Sequence, residues 1–107
     1  MSPTSPATPV LPERVAKLVD PKGETVIAVI NEQSLGIAAY VTFFDPEARD
    51  GRGDVRVGPL EQALRFARAG DAFECWRMQS RTVPLRPDGK YNKPMTALTV
   101  SFEKAPL

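Results

Sequence analysis

Two apolar runs separated only by NEQSL constrain what this chain can fold into. The first, ETVIAVI (24–30), is continuously apolar at its centre, which predicts a strand covered on both faces. The second, GIAAYVTFF (36–44), alternates between two faces. Ile37, Ala39, Val41 and Phe43 form the expected inward set. Ala38, Tyr40, Thr42 and Phe44 form the other, which is amphipathic and aromatic. With so short a connection the two runs are expected to lie side by side in a meander.

The segment before them, PERVAKLVD (12–20), reads in two ways. As a helix it has Pro12 at the start and Val15, Leu18 and Val19 on one face. As a strand it enters Asp20-Pro21-Lys22-Gly23, a type I turn signature with Pro at its second position and Gly at its fourth. The strand is the preferred reading, because 24–30 begins at once after the turn, as a hairpin's second arm does. The segment after them, DPEARDGRGDVRVG (45–58), is expected to be a solvated loop. Its Arg52-Gly53-Asp54 triplet is a common chance match to an integrin-binding tripeptide, and its acids miss the EF-hand spacing.

From Pro59 to Phe102 the pattern predicts a helix, a glycine stop, a strand, a basic loop and a returning strand. In PLEQALRFARAG, Leu60, Ala63, Leu64 and Ala67 recur at helical spacing, Pro59 suits the first helical position and Gly70 the cap. The segment DAFECWRMQ (71–79) is expected as a strand, although neither of its alternating faces is clearly the apolar one. RPDGKYNKP follows as a turn-bearing loop, and TALTVSF (96–102) as a half-buried strand with Leu98, Val100 and Phe102 facing inward. Val41, Leu64, Leu98, Val100 and Phe102 are the expected core.

Several functional classes are disfavoured by composition. The chain has no histidine and one cysteine, so Ser-His-Asp and Cys-His arrangements are impossible and zinc lacks its usual ligands. Cys75 has no disulfide partner and reads as a small buried apolar residue. No pair of carboxylates or lysines stands out for acid–base work, so the expectation is a binding protein without catalytic residues, metal or cofactor. No apolar run is long enough to span a membrane, and MSPTSPATPV lacks the basic start and apolar centre of a signal peptide. A cytoplasmic protein is expected, with one domain over 12–107 behind a flexible Pro-, Ser- and Thr-rich tail over 1–11.

Charge is unevenly spread beneath a formal net of +1. Residues 1–51 hold four basic and seven acidic side chains, whereas residues 52–93 hold nine basic and five acidic. A polyanion would therefore meet the second half first, above all Arg77 to Lys93.

The expected order is β-β-β-α-β-β, a mainly β chain with one helix, which is the topology of the five-stranded OB-fold barrel. If 12–20 is helical, the alternative is a two-layer α+β fold of the ββαββ kind. The segment LEQALRFARAGDAFECWRMQSRTVPLRPDGKYNKPMTALTVSFE resembles the second half of the bacterial single-stranded-DNA-binding protein family. The features that carry the resemblance are Gly70 ending the helix, the strand over 71–79, Gly89 and Tyr91 in a basic loop, and the closing strand over 96–102. The third strand departs from the family, carrying Tyr40, Phe43 and Phe44 without its characteristic tryptophan.

Single strands are held by a basic groove for phosphates and aromatic faces for unstacked bases. Tyr40, Phe44, Trp76 and Tyr91 are the candidate rings, and Arg77, Arg81, Arg86, Lys90 and Lys93 the candidate cations. The expected function is non-sequence-specific binding of single-stranded nucleic acid, DNA first and RNA as the variant, by a chain that self-associates as a homo-oligomer. A protein-interaction or adaptor module on the same fold is the alternative.

Overall fold

The computed structural model describes residues 10–105. Within them the apolar pair folds as expected, into strands β1 (Thr25–Ile30) and β2 (Ile37–Asp45) joined by the NEQSLG turn. Asn31 organises that turn, its side-chain Oδ1 accepting from the Gln33 and Ser34 N–H groups while its own N–H donates to the Gly36 carbonyl. A single helical turn, α1 (Glu13–Ala16), precedes β1. The strand expected over 12–20 is therefore a helix followed by a turn, with only Val19 in a bridge. A helix lets Val15 enter the core fully while Glu13 and Lys17 stay in water. The Asp20–Gly23 turn does form, closed by Gly23 N–H donating to the Asp20 carbonyl at 2.8 Å.

The polar stretch after β2 is more ordered than its composition suggests. One turn, α2 (Ala48–Gly51), carries Arg49 and Asp50 at φ 56°, in the left-handed region. The chain then enters strand β3 (Asp54–Gly58), where a loop was expected. Strand β4 (Val100–Lys104) completes an open antiparallel sheet in the order β3-β2-β1-β4. The fold is thus a small α+β domain with a four-stranded sheet; among the described residues no fifth strand joins its edges into a barrel.

The largest correction falls on residues 59–79. Only Leu60–Gln62 makes a helical turn of the 3-10 kind; the chain then runs extended, and the helix, α3 (Ala69–Trp76), begins where the helix was expected to stop. Phe66 explains the first change. It lies off the stripe of Leu60, Ala63, Leu64 and Ala67, so the expected helix would have turned a phenylalanine into water. Extended backbone instead buries both Leu64 and Phe66, two residues apart. The second change has its own signal, since Ala72 and Cys75 recur at helical spacing and both are buried. That spacing is why neither face of the supposed strand looked uniformly apolar.

The extended segment is also what the two central strands require. The β1–β2 register ends at Ala28 and Tyr40. Beyond that point Leu64 N–H donates to the Val41 carbonyl at 2.9 Å, and Phe66 exchanges two backbone hydrogen bonds with Thr25. Residues 64–66 thus satisfy backbone groups that neither strand meets in the other. The approach is close enough that a Cβ on Gly23 would overlap the Phe66 carbonyl.

Core phase on β2 is set by a register shift against β3 between Val41 and Phe43. Beyond it Phe44, not Phe43, joins Val41 in the main core cluster with Ile27, Leu64, Phe66, Cys75 and Met95. Phe43 is buried outside that cluster, under the Arg56 guanidinium 4.9 Å from its ring centroid. Ile37, also expected inside, is 45% exposed. Val41 and Leu64 are buried as expected, while Leu98, Val100 and Phe102 are half-buried against the cluster. The strand expected over 96–102 begins only at Val100, because Pro94–Ala97 forms a short 3-10 turn before it. The tail expected over 1–11 lies outside the described residues except Val10 and Leu11, and Leu11 packs on the core.

Phe44→Ala is expected to cost about 3–5 kcal/mol in urea unfolding, the usual range for a buried phenylalanine. Phe43→Ala should cost clearly less. Equal losses would contradict the register shift.

Candidate nucleic-acid interface

The long connection from α3 to β4 is folded back on itself. Ser80 N–H donates to the Asn92 carbonyl, Asn92 N–H to Pro84, and Arg86 N–H to Lys90, while Leu85 and Tyr91 form a bridge. The tip closes as its residues predict. Gly89 lies at φ 85°, its N–H donates to the Arg86 carbonyl, and Asp88 accepts from Lys90 N–H and the Arg86 guanidinium. The Lys90 N–H bond, with the Arg86 charge, draws the Asp88 carboxyl below its ordinary range.

Two side chains fasten this hairpin to the β2–β3 connection. Asn92 donates from Nδ2 to the Gly51 and Val83 carbonyls at 2.6 and 2.8 Å. Gly51 is required here, because its φ is 84° and a Cβ would come within 2.5 Å of the Val83 side chain. The second fastening is Glu47. Its carboxylate accepts from the Arg81 and Thr82 N–H groups, the Ser80 and Thr82 hydroxyls, and the Arg14 guanidinium, all at 2.8–3.0 Å. Burial by itself would raise this carboxyl, but the hydrogen bonds from residues 80–82 outweigh it and hold Glu47 at about 2.

Between the hairpin, α3 and α1 lies an open depression of about 670 Å³. Arg77 and Glu74 reach it from α3, and Arg81, Tyr91 and Lys93 from the hairpin. Arg14 and Lys17 reach it from the α1 segment, with Leu18 and Met78 on its floor. Five cations and one carboxylate therefore share one concave surface. Arg14, Lys17 and Arg77 have acidic partners in Glu47, Glu13 and Glu74. Arg81 and Lys93 have no ion-pair partner among the described residues, and Lys93 Nζ stands 5.8 Å from the centroid of the Tyr91 ring, which is 66% exposed.

Four of the nine residues singled out from the sequence thus meet in one place: Arg77, Arg81, Tyr91 and Lys93. Arg86 and Lys90 lie on the exposed hairpin tip. The other three rings are elsewhere. Phe44 is completely buried and offers no face to a ligand. Tyr40 is half-buried opposite Ala28 and Gly58, on the sheet face away from Val41. Trp76 is half-buried against Phe73 and Phe102, with its indole Nε1 donating to the Leu98 carbonyl. A strand over 12–20 turns Arg14 and Lys17 to opposite faces and so hides them as a pair, whereas in a helix their three-residue spacing places both on one side.

Other chemistry is little in evidence. Burial pushes the Cys75 thiol up to about 12, far from a reactive thiolate at neutral pH. Among the described residues no group of His, Cys, Asp or Glu side chains is placed to hold a metal ion, and no helix is long and apolar enough to cross a membrane. The Asp54 of the Arg-Gly-Asp triplet is paired with Arg56 and Arg49 at the start of β3. No family model matches the chain, and neither a curated protein nor a solved structure matches it.

Glu47 makes stability depend on acid. Its folded value of about 2 lies below the ordinary 4.5, so its contribution is present above pH 4.5 and lost as pH falls through 2. The full contribution is about 3 kcal/mol at most, taking 1.36 kcal/mol per pH unit. Urea unfolding of the parent and Glu47→Gln from pH 6 to pH 2 should show their difference shrinking over that interval.

Proposed function

We propose that this protein binds single-stranded nucleic acid, without sequence preference, in the depression between α1, α3 and the hairpin. The observation that carries this reading is the convergence of Arg14, Lys17, Arg77, Arg81 and Lys93 on one concavity beside the exposed ring of Tyr91. Phosphates supply the counter-charge that Arg81 and Lys93 lack among the described residues, and binding them releases condensed counterions. An unstacked base supplies the flat partner for Tyr91, whereas a duplex keeps its base faces inside the stack. The reading needs no closed five-stranded barrel, and the resemblance to single-stranded-DNA-binding proteins is consistent with it without carrying it. Arg86 and Lys90, on the exposed tip, lie outside the lining of the depression, and Arg86 is paired with Asp88.

A protein-contact function has separate support in the β1–β2 turn. Leu35 there is 78% exposed at φ 60°, two residues before the exposed Ile37. Apolar side chains held out on a hairpin suit an adaptor or a self-associating chain.

Titration with poly(dT) at several salt concentrations separates these readings. Arg81→Ala and Lys93→Ala should each weaken binding and flatten the log–log salt dependence by about 0.7, the value for one phosphate contact on a single strand. Tyr91→Ala should weaken binding by about 1–3 kcal/mol with little change in slope, because stacking releases no counterions. A parent that ignores poly(dT) while Leu35→Ser abolishes self-association would leave the adaptor reading.

A further inference from the structure

The depression has a carboxylate built into the layer behind its wall. Glu47 does not line the cavity; it is hydrogen-bonded to Arg14 and Arg81, which do. Coulombic reasoning alone makes an acid in that position a liability, since it repels a polyanion and neutralises Arg14. The hydrogen bonds point the other way. Arg14 Nη1 is shared between Glu47 Oε2 and the Gln79 carbonyl, both at 3.0 Å. The Arg81 and Thr82 N–H groups and the Ser80 hydroxyl converge on the same carboxylate, and Ser80 Oγ in turn accepts from Val83 N–H. One side chain thus joins α1 to residues 80–82, elements with no strand or helix pairing between them.

Resting on the reading above, we propose that Glu47 is the positioning residue of the nucleic-acid site, an acid whose presence raises affinity for a polyanion. It orders the backbone from which Arg81 projects and fixes the direction of the Arg14 guanidinium. The two cations then meet phosphates already in place, without the cost of ordering long side chains and their loop on binding. The carboxylate's own charge is met by five donors, and the Arg14 guanidinium among them offsets its field at the ligand.

The sign of the effect tests this. Glu47→Gln removes a negative charge beside the site, and Glu47→Asp keeps the charge but draws it back by one methylene. Each should weaken poly(dT) binding, by about tenfold if the coupling is of the usual size for residues in contact. Each should also flatten the salt dependence, with unfolding midpoints showing that the variants remain folded at the assay temperature. In an Arg81→Ala background the same substitutions should cost less, since one of the two cations they position is gone. Ser80→Ala, which leaves all charges unchanged, should weaken binding in the same direction and serves if the Glu47 variants do not fold. Hydrogen exchange at the Arg81 and Thr82 amides should quicken in every variant that binds less. A Glu47→Gln protein that binds as tightly as the parent or more tightly, or a Ser80→Ala protein with unchanged binding, overturns the proposal while the site stands. A parent that does not bind poly(dT) at all removes both.

Discussion

The structure depends first on the three residues that occupy the gap where β1 and β2 part. An antiparallel pair that separates leaves backbone donors and acceptors facing a gap, and in a protein interior those groups must find partners. Leu64 and Phe66 meet Val41 and Thr25 there while their side chains enter the core. The arrangement satisfies hydrogen bonding and burial together. It also places Arg68 and Ala69 where α3 can start and lie across the sheet.

From that helix the rest of the chain inherits its position. Cys75 and Met78 sit in the core, so the hairpin that follows α3 leaves from a fixed point. It is then fastened at Ser80–Thr82 by Glu47 and at Asn92 by Gly51. Both fastenings engage the connection between β2 and β3, whose left-handed residues bring Glu47 and Gly51 toward the hairpin. A segment rich in charge and turn residues is thus held by polar contacts, and two of its cations, Arg81 and Lys93, line the depression beside α1 and α3.

Much of this was legible from the residues. The β1–β2 pair, the Asp20–Gly23 turn, the Gly89 tip and the inward face of the closing strand are all local patterns that the fold keeps. The errors fell where two local patterns competed. PLEQALRFARAG satisfies a helical stripe if Phe66 is ignored, and DAFECWRMQ satisfies a strand only if its apolar residues are allowed on both faces. At GIAAYVTFF the alternation was right, but a one-residue register shift exchanged Phe43 for Phe44 in the main core. No spacing in a single strand reveals such a shift, because it arises from the pairing of two.

The sequence by itself determined the charge and the absence of histidine, the central hairpin, the hairpin tip and the cations of residues 77–93. These follow from side-chain chemistry and short-range backbone preference, which act within a few residues. Tertiary structure alone decided that residues 64–66 run extended, that the helix starts at Ala69, and that Arg14 and Lys17 join Arg81, Tyr91 and Lys93 around one depression. It also decided that an acid, Glu47, should stand behind them. Those outcomes rest on contacts between groups more than 20 residues apart in the chain, such as Leu64 with Val41, Glu47 with Ser80 or Arg14 with Glu47. Local propensities differ by less than the free energy of burying Phe66 or pairing a backbone amide, so the long-range contact prevails.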